Sequence, residues 1–109
     1  MPEDQRGKII MLGKDMDEEY LTRVQTLMLK PELLEKAKGL KIVYTAIHGT
    51  GGVHVPAILR TLGFNFLTVP EQDIYDGRFP TVKSPNPENA AALQMALDLA
   101  EKEHADIVI

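Results

Sequence analysis

The feature that most constrains this chain is a change of pattern around residue 45. An apolar run, Leu40-Lys41-Ile42-Val43-Tyr44, gives way to Thr45-Ala46-Ile47-His48-Gly49-Thr50-Gly51-Gly52, and then to Val55, Ile58, Leu59 and Leu62. The first run is rich in β-branched and aromatic residues without clean alternation, which is how a strand buried on both faces reads. The last four residues fall at i, i+3, i+4 and i+7, one apolar face of a helix. A strand, a glycine turn and a helix in succession force a right-handed crossover back to a parallel strand. Three glycines in four residues mean a backbone that turns sharply or is closely approached. Pro56 has no N–H to give a helix interior, so the helix is expected to begin no earlier than about His54, leaving 49–52 in the loop.

The remaining chain repeats this unit. Phe64-Asn65-Phe66-Leu67-Thr68-Val69 predicts a second strand closed by Pro70, and a long connection, 71–87, follows. Connections of that length are commonly functional, and Phe79, Val82 and three prolines predict an ordered, packed loop. Asn86 as cap and Pro87 at the first position predict a further helix that buries Ala90, Leu93, Ala96 or Leu97, and Ala100. Ala105-Asp106-Ile107-Val108-Ile109 predicts a third strand. Upstream, Tyr20, Val24, Leu27 and Met28 predict a helix capped by Asp15 or Asp17 and running to about Lys30, where Pro31 stops it. A short second helix fits between Pro31 and Gly39. The expected fold is a three-layer α/β/α sandwich with a mainly parallel sheet, a β-α-β-α-β core preceded by two helices. Residues 15–109 form this domain. Residues 1–14 read as a linker from a preceding domain, with Ile9-Ile10-Met11-Leu12 as an edge strand or a docking segment.

Composition removes several classes of function. A net charge of −4 with mixed signs offers no basic footprint for nucleic acid. The absence of cysteine excludes disulfides, thiolate metal sites and a cysteine nucleophile. No run approaches the roughly 20 apolar residues of a membrane span, and the first residues are no signal peptide. A cytoplasmic protein without a membrane partner is expected.

In open parallel sheets ligands bind beyond the carboxyl ends of the strands. Here those ends are marked by His48-Gly49, Glu71-Gln72 and Ile109. The glycine turn lacks the Gly-Lys-Ser/Thr ending of a P-loop. It half-matches a dinucleotide fingerprint through Gly49 and Gly51, with Glu71 near the place of a ribose-binding acid, but His54 stands where the third glycine belongs. His48 and His54 are too far apart to share a helical face as a metal pair. His48 can serve a phosphate oxygen or simply satisfy its own loop. In the long loop, Lys83 can meet a phosphate as a point charge; Glu71, Asp73 and Asp76 suit either turns or a cation. Neither a catalytic set nor a metal-ligand set is assigned to this chain.

Three blocks, Thr45-Ala46-Ile47-His48-Gly49-Thr50-Gly51-Gly52, Val69-Pro70-Glu71-Gln72 and Phe79-Pro80-Thr81-Val82-Lys83-Ser84-Pro85-Asn86-Pro87-Glu88, together resemble domain II of the α-D-phosphohexomutases. The likeness is to the phosphoglucomutase/phosphomannomutase branch that includes phosphopentomutase-like enzymes. It implies a four-domain enzyme that interconverts sugar 1-phosphates and 6-phosphates through a sugar bisphosphate. A phosphoserine on another domain donates the phosphoryl group, and Mg²⁺ sits on an Asp-rich loop. The resemblance places that loop directly after Ile109, so this stretch is expected to be a domain II fragment that is inactive alone. Its partners would be the other domains and a hexose or pentose phosphate. His48, Gly49, Gly51, Gly52, Lys83 and Asn86 are then loop residues at the edge of an active site, without individual roles. Two other classes stay open: a dinucleotide-binding module built on residues 49–52, and an interaction domain whose end strand pairs with a partner.

Overall fold

The computed structural model describes residues 2–109; of the expected linker, Met1 lies outside the described residues. Three parallel strands, β1 (Lys41–Tyr44), β2 (Asn65–Thr68) and β3 (Ile107–Val108), form a sheet in the order β2-β1-β3. Ile42 pairs with Phe66 on one side and Ile107 on the other; Val43 pairs with Leu67 and Val108. The central strand is therefore flanked twice, and Ile42, Val43 and Tyr44 are all buried.

Alternation along β1 divides the core between two layers. Ile42 and Tyr44 face α3 (Gly51–Thr61), where they meet Leu59, Val55, Phe64 and Phe66. Val43 faces the other way, towards Val69 and the alanines Ala96 and Ala100 of α4 (Gln94–Glu103). Alanine at these contacts lets the helix backbone come close to the sheet. Full burial of an aliphatic side chain such as Val43 contributes about 1.5–3 kcal/mol. The expected three-layer α/β/α arrangement is what forms, with α1 (Lys14–Gln25) laid on the outside of α3.

Both long crossovers end in the same way. Gly63 at φ 79° closes α3, with Phe64 N–H reaching the Leu59 carbonyl at 3.0 Å and Gly63 N–H the Arg60 carbonyl at 3.1 Å. His104 at φ 52° closes α4 with the matching bond from Ala105 to Ala100 at 2.8 Å. These are Schellman ends, and the Phe64–Leu59 contact is the apolar pair that accompanies them. Asp106 then pins the start of β3 to β1: its carboxylate accepts the Lys41 N–H and its own N–H bonds the Lys41 carbonyl, both at 2.8 Å.

Several boundaries differ from expectation. Helix α3 begins at Gly51, so Gly51 and Gly52 are helical and Pro56 is its sixth residue. The first turn is tightened by bonds from Gly52 to Gly49 and from Val53 to Thr50. The bond that Pro56 cannot make would have gone to the carbonyl of Gly52, in the first turn of the helix. Helix α1 stops at Gln25, five residues before Lys30, and its cap position is Gly13 rather than Asp15 or Asp17. After Thr26, Leu27 and Leu29 are exposed and Met28 is only half-buried, so little packing holds the segment helical. The short second helix is present as a 3₁₀ turn, Pro31–Leu33, continued by α2 (Leu34–Ala37).

Asn86 and Pro87 do not start α4. Asn86 closes its own turn by accepting the Glu88 N–H at 3.0 Å, and Asn89 caps a 3₁₀ turn, Ala90–Ala92, ahead of the helix. Ala90 and Leu97 are exposed, leaving Ala92, Ala96 and Ala100 as the buried face. Ile9, Ile10, Met11 and Leu12 are exposed and form no strand. Among the described residues no helix is long and apolar enough to cross a membrane.

Candidate functional site

Because all three strands run the same way, their carboxyl ends share one edge of the sheet. The chain leaves β1 towards β2 and then returns across it to β3, so the order reverses between β1 and β3. That reversal is where open α/β sheets form their ligand crevice. The glycine turn leaves β1 at this point, and the long loop leaves β2 beside it.

The turn is built tightly. Gly49 N–H bonds the Ala46 carbonyl at 2.8 Å, and a Cβ on Gly49 would meet that same oxygen at 2.9 Å. A Cβ on Gly51 would run into the Tyr44 hydroxyl, whereas one on Gly52 would meet only Ala46 Cβ at 3.5 Å. Ile47 and His48 both adopt left-handed backbone angles, φ 47° and 62°. For a β-branched isoleucine that is a strained conformation, which surrounding contacts must hold in place. The N–H groups of Gly49, Gly52 and Val53 are all used within the turn and the helix start, so they do not form a phosphate cradle.

What holds the turn is a chain of polar groups, buried at Thr45, His48 and Gln72 and reaching the surface at Thr81. His48 is 1% exposed and Gln72 0%. The Ile47 N–H donates to Thr45 Oγ1 at 3.1 Å, and the Thr45 hydroxyl donates to Gln72 Oε1 at 2.6 Å. Gln72 Nε2 donates to Thr81 Oγ1 at 3.0 Å. Thr81 Oγ1 lies 2.8 Å from His48 Nε2, and His48 Nδ1 lies 2.8 Å from the Ile74 carbonyl. A carbonyl only accepts, so Nδ1 carries the proton, and in the neutral ring Nε2 accepts the Thr81 hydroxyl. Every donor then has an acceptor in one direction along the chain. No buried side-chain polar atom among the described residues is left unpaired, as a low-dielectric interior requires.

The residues expected at the site separate into two groups. His48, Gly49, Gly51 and Gly52 form the turn just described. Lys83 and Asn86 are exposed on the outgoing limb of the long loop, and no hydrogen bond among the described residues joins them to the turn. Phe79, at φ 50°, and Val82 are half-buried, so the loop is packed along its middle. Thr45, Gln72 and Thr81 are the structural partners that the sequence reading missed. The one signal for them was position, since Thr45 and Gln72 directly follow the first two strands.

Two of the acidic residues near this edge, Asp73 and Asp76, are engaged locally. Asp76 is forked to Arg78 through bonds of 2.6–3.2 Å. That guanidinium, with the Arg78 N–H, holds the Asp76 carboxyl down to about 2. Asp73 accepts the Thr68 hydroxyl. Burial pushes the Tyr44 phenol up, and the Asp73 carboxylate adds to it. Among the described residues no three His, Asp or Glu side chains converge to hold a metal, so Glu71, Asp73 and Asp76 do not make a cation site. His54 is likewise no ligand: it bridges α3 to Asp17 of α1 at 2.9 Å, with Tyr20 packed edge-on against its ring.

Comparison with known proteins follows the same outline. The family model for the phosphoglucomutase/phosphomannomutase alpha/beta/alpha domain II matches residues 18–109. The chain is 34% identical over 102 residues to a phosphomannomutase of Mycoplasmoides pirum, covering 93% of this chain and 19% of that protein. It is 36% identical over 97 residues to phosphoglucomutases of Staphylococcus aureus strains MRSA252 and N315, covering 88% of this chain and 17% of those. The chain thus spans less than a fifth of the length of these relatives. No solved structure matches it significantly. With the match covering nearly the whole chain, and with a parallel β2-β1-β3 sheet between helical layers, the chain belongs to the phosphoglucomutase/phosphomannomutase family as its domain II.

Proposed function

We propose that this chain serves as domain II of a cytoplasmic enzyme that moves a phosphoryl group between the 1- and 6-positions of a hexose, or the matching positions of a pentose, through a sugar bisphosphate. Residues 1–14 would connect it to a preceding domain. The observation that carries the proposal, beside family membership, is the hydrogen-bonded chain Thr45–Gln72–Thr81–His48. It joins the two loops at the carboxyl edge of the sheet into one unit. Phosphoryl transfer gains most of its rate from positioning and electrostatics rather than covalent chemistry, so a rigid loop platform is a fitting contribution from one domain.

The residues described here do not fit a Mg²⁺ site, as Asp76 and Asp73 are engaged by Arg78 and Thr68 and no three acidic or histidine side chains among them converge. The role proposed for them therefore contains no metal step. His48, Gly49, Gly51 and Gly52 would form the fixed side of the active-site edge, with the turn carrying Lys83 and Asn86 as its outer limb. On this basis the isolated chain does not turn over sugar phosphates.

The test is a coupled mutase assay with glucose 1-phosphate, mannose 1-phosphate or ribose 1-phosphate, Mg²⁺ and the matching bisphosphate primer. The full polypeptide carrying this segment is expected to turn over at least one substrate, and the isolated chain none. Turnover by the isolated chain would refute the division of labour. A folded full polypeptide inactive on all three would refute the mutase assignment.

A further inference from the structure

The long loop is held from one residue. His48 gives its backbone N–H to the Gln72 carbonyl at 3.0 Å, and its own carbonyl accepts the Asp76 N–H at 3.3 Å. Its ring reaches the Ile74 carbonyl through Nδ1 and the Thr81 hydroxyl through Nε2, both at 2.8 Å. Four contacts thus fix the loop at four points between residues 72 and 81. Both ring nitrogens are used, and the side chain is out of solvent. A histidine so placed meets neither a phosphate oxygen nor a substrate proton.

We propose that His48 is a positioning residue for the phosphoryl transfer, acting through Thr81 on the limb that carries Lys83. This rests on the mutase reading above. Lys83 lies two residues beyond Thr81, and two extended residues span at most about 7 Å. Thr81 is shared between His48 and Gln72 Nε2, the latter at 3.0 Å, so losing the His48 bond would loosen one of its two anchors and shift the Lys83–Asn86 turn with it. Misplacement of groups by about 1 Å costs up to about a hundredfold in rate where catalysis depends on orientation.

The test uses the full polypeptide and three substitutions chosen to keep the fold. Thr81→Val keeps the shape and removes the hydroxyl. Thr81→Ser keeps the hydroxyl. His48→Asn keeps a donor near the Nδ1 position and tolerates the left-handed backbone, but it loses the bond to Thr81. Folding of each is checked by circular dichroism, and kcat and KM are measured separately on the sugar 1-phosphate that the wild type uses fastest. Thr81→Val and His48→Asn are expected to lower kcat by about tenfold or more with KM within about twofold. Thr81→Ser is expected to recover most of the loss, and the double variant His48→Asn/Thr81→Val to be no worse than the weaker single. Wild-type kcat in folded Thr81→Val and His48→Asn, or a Thr81→Ser variant as impaired as Thr81→Val, overturns the positioning role alone. A wild type inactive on every sugar phosphate tried overturns the mutase reading, and the role falls with it.

Discussion

Replacing Gly51 and Gly52 with alanine, one at a time, separates steric need from conformational need at the start of α3. Both residues are helical, so alanine brings a propensity gain of up to about 1 kcal/mol at either position, less at the first turn. They differ in surroundings. A Cβ on Gly52 would meet Ala46 Cβ at an ordinary 3.5 Å, while one on Gly51 would overlap the Tyr44 hydroxyl and also approach its Cζ at 3.8 Å. Tyr44 is only 6% exposed, and its ring shares a core with Ile42, Leu59 and Val55, so it has no free direction in which to swing. Overpacking of this kind costs about 1–3 kcal/mol. Net, Gly51→Ala is expected to destabilise the chain by about 1–2 kcal/mol, and Gly52→Ala to be neutral or stabilising by up to about 1 kcal/mol. Urea unfolding followed by circular dichroism measures both, and each kcal/mol corresponds to about 4–8 °C in a thermal scan of a domain this size. A Gly51→Ala variant as stable as wild type, or less damaged than Gly52→Ala, would refute the reasoning.

Gln72→Leu strips the polar chain of its middle member, leaving the buried Thr45 hydroxyl without an acceptor and Thr81 held by His48 alone. It is expected to lower stability by about 1–3 kcal/mol, read by urea midpoint; an unchanged midpoint contradicts the network. The Asp76–Arg78 fork predicts a pH dependence. The folded carboxyl lies near 2 against an ordinary value of 3.8, so its stabilisation is present above about pH 5 and fades as the pH falls towards 2. The stability difference between wild type and Asp76→Asn should be constant at neutral pH and close in that acid range, remaining small because Arg78 is exposed. A gap that widens on acidification contradicts the assignment.

The strand–turn–helix pattern and the layer order were legible because they rest on burial, which hydrophobic spacing records directly. Ile42 and Val43 lie in the central strand and are buried on both faces of the sheet. The start of α3 was misjudged because Pro56 was weighed against an ideal helix, whereas a 3₁₀-tightened first turn, in which Gly52 lies, accommodates it. Asn86-Pro87 carried a strong cap signal but spent it on a local turn, since the residues that pack on the sheet, Ala96 and Ala100, come later. At the site, the glycines and His48 stood out, yet Gln72 and Thr81 did not. Their role arises from the approach of two loops distant in sequence, and neither glutamine nor threonine carries a periodic signature. Likewise His104 gave no hint of the left-handed closure it makes for α4.

The central claim is that a neutral, buried His48 ties the glycine turn to the long loop. Nitrogen-15 NMR of its imidazole reads this directly. The account predicts a ring protonated at Nδ1, with that proton slow to exchange, and an unprotonated Nε2 accepting from Thr81. A ring protonated at Nε2 alone, with a fast-exchanging proton, would contradict it.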